Sequence, residues 1–440
     1  MLDRFQEYLT QQHLLPSGAK VLLAVSGGRD SVCMAHLFSR AGIPFAVAHC
    51  NFHLRPVDCD RDQAFARQLA ADYGVPFHTI GFDTHAYARS SGMGIEEAAR
   101  HLRYEWLAGQ CHEHGYPVLA TAHHRDDSIE TFFLNLFRGT GIAGLHGIRP
   151  SSPFCGVSLV RPMLCFSRAD IDAYVIKHRL AYVEDSTNSE LAARRNRIRH
   201  QLMPLLRELY PSVDSTMEAN MQRLADTELV FNAYVDSLRS ALRHSGHSPF
   251  GFDYLHYNLA DLAALSPRST LLFELLRPYG FNAATVADLM AQLPAPTTGS
   301  RFFSATHEAV VDRDRLLVVR RMEPVAPEVE VSAIPRGGMP SPVQGRETRS
   351  IEYVDAGSVH QPLTLRPWRD GDRFMPLGME HLRLVSDFLK DCKLNAVEKR
   401  HVHVLVTPDD RIVWVVGLRI DHRYRITDTT RSVLRLSLRG

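Results

Sequence analysis

Four short apolar runs, residues 21–25, 45–48, 77–80 and 118–122, punctuate the first part of the chain, and each is followed by a segment of helix length. A chain that returns through a helix after every strand lays its strands parallel, so the expected class is α/β, a parallel doubly wound sheet. Such sheets bind ligands outside the carboxyl ends of their strands. The residues just after each run are therefore where chemistry is expected.

The rest of the chain changes character. Pro150, Pro153 and Pro162 mark a looser connection, residues 168–179 resume a helical pattern, and residues 211–292 read as a small, mainly helical domain. Residues 292–300 form a break, and Asp312-Arg313-Asp314 marks a hairpin. Residues 323–342 carry five prolines and read as a linker. Residues 364–438 look strand-rich, with a helix near 382–391, which makes an α+β C-terminal domain. The expected division is 1–215, 216–322, a linker at 323–350, and 351–440. With 440 residues, 45% of them hydrophobic, the chain exceeds one ordinary core. No apolar stretch approaches the roughly 20 residues that span a bilayer, and the start lacks a signal layout, so a cytoplasmic protein with no membrane partner is expected.

The first run ends in Ser26-Gly27-Gly28-Arg29-Asp30-Ser31. Glycines let a ligand approach the backbone, and a helix that starts there points unpaired N–H groups at one spot, so an anion such as pyrophosphate belongs in the turn. Asp30 is out of place in an anion site unless Mg²⁺ accompanies the phosphates. A plain capped strand-turn-helix junction is the bland alternative. The fourth run leads into "ATAHHRDDSIETFFLNLFRGTGIAG", where Asp127 and Glu130 are three apart and share one face of a first helical turn. His123 and His124 have no metal-ligand spacing and read as site-lining or structural. The pattern Gly139-x-Gly141-x-x-Gly144 follows a helix rather than a strand, so it reads as a flexible loop beside the site and not as a dinucleotide fingerprint.

The seven cysteines contain no Cys-x-x-Cys pair and are expected to be reduced and structural. Net charge is +1, but its distribution is uneven. Residues 189–207 hold five arginines against one acid, or +4, and residues 361–440 hold 15 Lys or Arg against 10 Asp or Glu, or +5. Both stretches are candidate phosphate contacts, with a solvated surface as the alternative.

Ser26 to Ser31 resembles the pyrophosphate loop of the N-type ATP pyrophosphatases, whose fold is the adenine nucleotide α hydrolase-like PP-loop domain. "HCNFHLR", "EEAARHLRYEWL", "HHRDDSIET" and "EDSTNSELAARRNRIRHQLMPLL" then follow in order over the first 207 residues. Together they resemble the tRNA(Ile)-lysidine synthetases. Residues 251–320 and 361–435 look like that family's substrate-recognition and C-terminal domains, although "HLRLVSDFLKDCKLNAVEKRHVHVL" departs from the usual lysine-rich turn of the latter.

The resemblance implies ATP-dependent ligation of free L-lysine to C2 of the wobble cytidine of a CAU-anticodon tRNA(Ile), through an adenylated C2 oxygen, with release of AMP and pyrophosphate. It implies that Ser26, Gly27, Gly28, Arg29, Asp30 and Ser31 bind ATP and that Asp30 ligates Mg²⁺. It further implies that Asp127 and Glu130 hold lysine or a second Mg²⁺, and that Arg103 and Arg195 supply cations. A homodimer is compatible with it. The alternatives are a cytidine thiolase on the same loop, which would normally need a Cys-x-x-Cys that this chain lacks, and a catalytically idle tRNA-binding relative.

Overall fold

In the computed structural model the described residues are 1–53, 56–183, 190–338 and 350–439. Residues 185–188, the most specific part of the resemblance, and Leu54 and Arg55 of its first stretch lie outside them. The chain divides into two compact units, residues 1–231 and 232–440.

The first unit is built on six strands, β1 (Val21–Ala24), β2 (Phe45–Asn51), β3 (Phe77–Gly81), β4 (Val118–Ala120), β5 (Ser151–Phe154) and β6 (Val157–Val160), in the order β3-β2-β1-β4-β6-β5. All neighbours are parallel except the edge pair β5 and β6. The central strand β1 reads Val-Leu-Leu-Ala because both of its faces are covered. Leu23 packs with Phe5, Leu37 and Phe38 on one side, while Leu22 packs with Tyr104, Leu107 and Cys111 on the other.

The helices are α1 (Leu2–Gln11), α2 (Arg29–Arg40), α3 (Pro56–Asp72), α4 (Thr84–Ser91), α5 (Ile95–His114), α6 (Arg125–Arg138), α7 (Arg168–His178), α8 (Glu190–Arg197), α9 (Met203–Leu209) and α10 (Val213–Leu242). A π-helical turn, Ile198–Leu202, joins α8 to α9.

The four expected strands are present. The proline-marked connection is not loose: it contains β5 and β6, closed by Cys155 and Gly156, both at positive φ (44° and 79°). Two adjacent left-handed residues make the turn type that suits a two-residue hairpin, and neither Cys-Gly nor the flanking prolines advertises it.

The second unit contains β7 (His244–His247), β8 (Asp253–Asn258), β9 (Arg301–Phe303), β10 (His307–Asp312) and β11 (Arg315–Arg320) in the order β7-β8-β11-β10-β9, with α11 (Leu259–Ala264), α12 (Arg268–Leu276) and α13 (Ala283–Gln292). The hairpin at Arg313 and Asp314 joins β10 to β11, with Arg313 at φ 56°. The segment expected to be mainly helical thus also carries two strands, β7 and β8.

Beyond it lie β12 (Val329–Pro335), β13 (Ile351–Asp355), β14 (Thr364–Pro367), β15 (Arg373–Phe374), β16 (Arg383–Leu384), α14 (Val385–Asp391), β17 (His403–Val406), β18 (Ile412–Val415), β19 (Arg419–Ile420) and β20 (Ser432–Leu438). Part of the expected linker is strand β12, paired with β20 over seven residues; cross-strand partners, rather than composition, make it a strand. Val397 packs on Phe252, Val310 and Leu317, and Glu308 bonds both Arg301 and Arg400. These two parts of the second unit therefore share a core.

No helix among the described residues is long and apolar enough to cross a membrane.

Candidate active site

The turn after β1 holds the geometry that its glycines suggest. Gly27 sits at φ +93°, a conformation that L side chains rarely adopt, and its carbonyl accepts from the Val183 N–H at 2.9 Å. Gly28 caps α2 in extended backbone, and its N–H donates to Ser26 Oγ at 3.2 Å. Ser31 Oγ donates back to the Gly28 carbonyl at 2.8 Å. The Arg29 and Asp30 N–H groups at the first turn of α2 come too early for an intrahelical acceptor, whereas the Ser31 N–H already donates to the Gly28 carbonyl, and such a helix start makes an anion cradle.

Arg29 contributes only its backbone to that cradle. Its guanidinium is turned to Asp172 of α7 and to Tyr182, whose ring lies 4.8 Å from it. In this arrangement a carboxylate and a ring hold its charge, so what Arg29, expected among the ATP-binding residues, offers the turn is its backbone N–H.

Asp30 is bonded by Arg168 Nη1 at 2.7 Å. Its other oxygen lies 4.0 Å from His124 Nε2, and Asp127 Oδ2 lies 3.4 Å from the same nitrogen. With Asp126 Oδ2 3.7 Å from His124 Nδ1 as well, α2 and α6 present three carboxylates to one buried imidazole. His124 is fully buried, with no hydrogen-bond partner at either ring nitrogen among the described residues. Burial alone would lower its pKa, but Asp126, Asp127 and Asp30 together raise it. Burial raises the Asp30 carboxyl against the pull of His124 and Arg168. In Asp127 burial is overcome by His124, His123, the His124 N–H and Arg199, and its pKa falls. The Asp127 carboxylate also accepts the His124 backbone N–H at 3.1 Å, closing a capping box on α6.

Glu130 is 1% exposed and is gripped by Arg199, from Nε at 2.7 Å and from Nη2 at 3.1 Å. Glu130, expected to hold lysine or a second Mg²⁺, thus already faces a guanidinium from the π-helical turn. Such turns re-aim single side chains and recur at functional sites. Arg195 lies one turn earlier, with Nη2 3.3 Å from Thr131 Oγ1. Arg103, on α5, stacks over Phe52 at 5.5 Å and makes no ion pair among the described residues.

Four participants escaped the sequence reading. Asp126 accepts the Arg168 N–H at the start of α7 and the Arg207 guanidinium at 3.0 Å. Arg168, Arg199 and Arg207 were legible only as parts of a helix start and a basic stretch. The loop at residues 139–148 is held rather than free, since Asn135 donates to the Gly144 carbonyl and Ser128 Oγ accepts the Ile148 N–H. The six described cysteines are unpaired thiols.

A parallel sheet whose first strand ends in a glycine turn, with carboxylates converging from the adjacent strand end, defines a PP-loop enzyme. A PP-loop domain model matches residues 1–206, a TilS substrate binding domain model residues 252–321, and a TilS substrate C-terminal domain model residues 363–437. The chain is 37% identical to the tRNA(Ile)-lysidine synthase of Parabacteroides distasonis, with all of both chains covered. It is 36% identical to that of Bacteroides thetaiotaomicron over 98% of each, and 33% identical to that of Porphyromonas gingivalis over 97% of this chain and 96% of the other. The chain belongs to the tRNA(Ile)-lysidine synthase family.

Proposed function

We propose that the protein uses ATP to join free L-lysine to C2 of the wobble cytidine of a CAU-anticodon tRNA(Ile). The observation that carries this reading is the meeting of Asp30 and Asp127 around His124, next to the N–H cradle of α2. ATP lies with its phosphates in the turn of Ser26 to Ser31. The cytidine C2 oxygen attacks the α-phosphate, pyrophosphate leaves, and C2 now carries AMP as a leaving group. The lysine amine then attacks C2, AMP departs, and the amine gives up a proton. The flipped base must enter the cleft, because C2 is unreachable in a stacked loop.

The residues fit a magnesium ion. Asp30 and Asp127 supply hard oxygen donors near the phosphate cradle, and Mg²⁺ is usually held by one or two carboxylates plus substrate phosphates. When bound, the ion neutralises charge developing on the phosphates. Arg168 holds Asp30 in place, and Arg199 holds Glu130 and lies 3.5 Å from Asp127. Arg103 and Arg195 are the cations assigned to substrate anions, the matched recognition domains of residues 252–321 and 363–437 support tRNA binding, and the absence of Cys-x-x-Cys leaves no sulfur carrier for the thiolase alternative.

The test supplies labelled lysine, ATP, Mg²⁺ and an isoleucine tRNA transcript bearing CAU. Labelled tRNA with one AMP per lysine is expected. ATP-dependent tRNA modification without lysine uptake would overturn the reading.

A further inference from the structure

Arg207 pairs with two carboxylates, neither of which is assigned to a substrate or a metal. From the end of α9, its Nε and Nη2 donate to the two oxygens of Asp214, in the first turn of α10, at 2.8 and 3.0 Å. Nη2 also donates to Asp126 Oδ1 at 3.0 Å. The other oxygen of Asp126 accepts the Arg168 N–H at 2.8 Å, and Arg168 Nη1 donates to Asp30 Oδ1 at 2.7 Å. An unbroken run of hydrogen bonds therefore leads from α10 through α9, α6 and α7 to the carboxylate at the start of α2.

Helix α7 does not need Asp126 in order to form. Ser167 Oγ accepts the Asp170 N–H at 3.1 Å and Asp170 accepts the Ser167 N–H at 2.9 Å, so the helix carries its own capping box. What Asp126 adds is place: it ties the first residue of α7 to α6, and the Arg125 N–H makes a second tie to the Phe166 carbonyl at 2.9 Å. Asp126 serves its two partners through separate oxygens, which fixes the plane of the carboxylate. Without Arg207 that plane is free to turn toward His124 Nδ1, which already lies 3.7 Å from Oδ2. The Arg207 side chain is 40% exposed, but those of Asp126 and Asp214 are only 20% and 28% exposed, which sets this cluster apart from a solvated surface pair.

We propose that Arg207 is a positioning residue for the reaction: by fixing Asp126 it sets the start of α7, and with it the Arg168 guanidinium that orients Asp30. This rests on the reading above, in which Asp30 serves the phosphates and their magnesium. A shift of about 1 Å at a reacting group, caused far from the chemistry, costs up to about 100-fold in rate, so a bond this remote has leverage on kcat.

The experiment is a double-variant cycle on the full chain, Arg207→Met and Arg168→Met singly and together, with ATP, Mg²⁺, L-lysine and the CAU tRNA supplied. Arg207→Met should lower kcat by about 10-fold and keep the tRNA and lysine KM within about twofold. In the Arg168→Met background the same change should lower kcat by less than about twofold, because the path it acts through is already gone. Calorimetry gives a second readout: the gain in ATP affinity on adding Mg²⁺ should fall by about fivefold in Arg207→Met, and should fall no further when that change is added to Arg168→Met. Arg207→Lys keeps a charge without the fork and should recover part of kcat. Equal losses with and without Arg168 would overturn the proposal and assign Arg207 to fold stability; a raised tRNA KM with kcat intact would overturn it and assign Arg207 to the tRNA. If Arg207→Met fails to fold by circular dichroism, Asp214→Asn, which frees Arg207 from α10, takes its place in the cycle with the same outcomes. A wild type that incorporates no lysine refutes the underlying function, and the calorimetric cycle then still decides the positioning role.

Discussion

Replacing Arg199 by Met would leave Glu130 buried with no counter-ion, and the size of the effect follows from the geometry. Two charge-assisted hydrogen bonds, 2.7 and 3.1 Å long, hold a carboxylate that is 1% exposed. Breaking a buried ion pair by deleting one partner costs about 3–5 kcal/mol. The Arg199 side chain is 35% exposed, so water already screens part of the pair, and about 3 kcal/mol at pH 7 is the better figure. That is roughly two orders of magnitude in the folding constant.

The pH dependence gives the argument its sign. Burial raises the Glu130 pKa even against Arg199, so the folded state holds this proton more tightly than the unfolded chain does. Stability from this group is therefore present at low pH and lost as pH rises through the raised folded value. Without Arg199 the folded value climbs further. The deficit of Arg199→Met should be greatest at neutral pH and shrink as pH falls toward the ordinary glutamate range. Urea unfolding of the full chain, followed by circular dichroism between pH 4.5 and 8, measures this. Adding Glu130→Gln to Arg199→Met should restore about 2 kcal/mol at pH 7 and flatten the profile, since the uncompensated charge is gone. A double variant as unstable as the single one, or a deficit independent of pH, would refute the reasoning.

Three other outcomes are expected. Gly28→Val should fold, because this position has extended backbone and a Cβ would meet Ser26 Oγ at 3.3 Å and the Val183 carbonyl only at 4.0 Å, yet it should weaken ATP binding by at least about 100-fold in calorimetry, as the side chain fills the cradle. Asp30→Asn should stop the reaction before tRNA adenylation and Glu130→Gln should slow lysine transfer instead, with adenylate and lysine incorporation followed separately; equal loss of adenylation in both would show that Glu130 serves the phosphates. Against the push of burial, His124, the Arg168 N–H and Arg207 hold the Asp126 carboxyl well below the usual range, so its stabilisation is present above about pH 4 and lost on acidification. Asp126→Asn should accordingly cost about 2 kcal/mol at pH 7, a deficit that begins to shrink below about pH 4 and is still substantial at pH 3, as read from thermal melts.

The alternation of apolar runs determined the parallel sheet, and Ser26-Gly27-Gly28 after the first run determined the glycine turn that opens α2. Both are local: a strand buried on two faces must be continuously apolar, and a turn at positive φ requires glycine. The spacing of Asp127 and Glu130 likewise placed both on the first turns of α6. The hairpin of β5 and β6 and strand β12 were not legible, because their partners lie elsewhere in the chain and pairing makes the strand. The sequence also left open which arginine meets which acid. Glu130 and Arg199 are 69 residues apart, Asp30 and Arg168 138. Only the folded chain brings them within 3 Å, and only there are the paired arginines Arg168, Arg199 and Arg207 told apart from Arg103, Arg161 and Arg195, whose buried Nε atoms find no acceptor among the described residues.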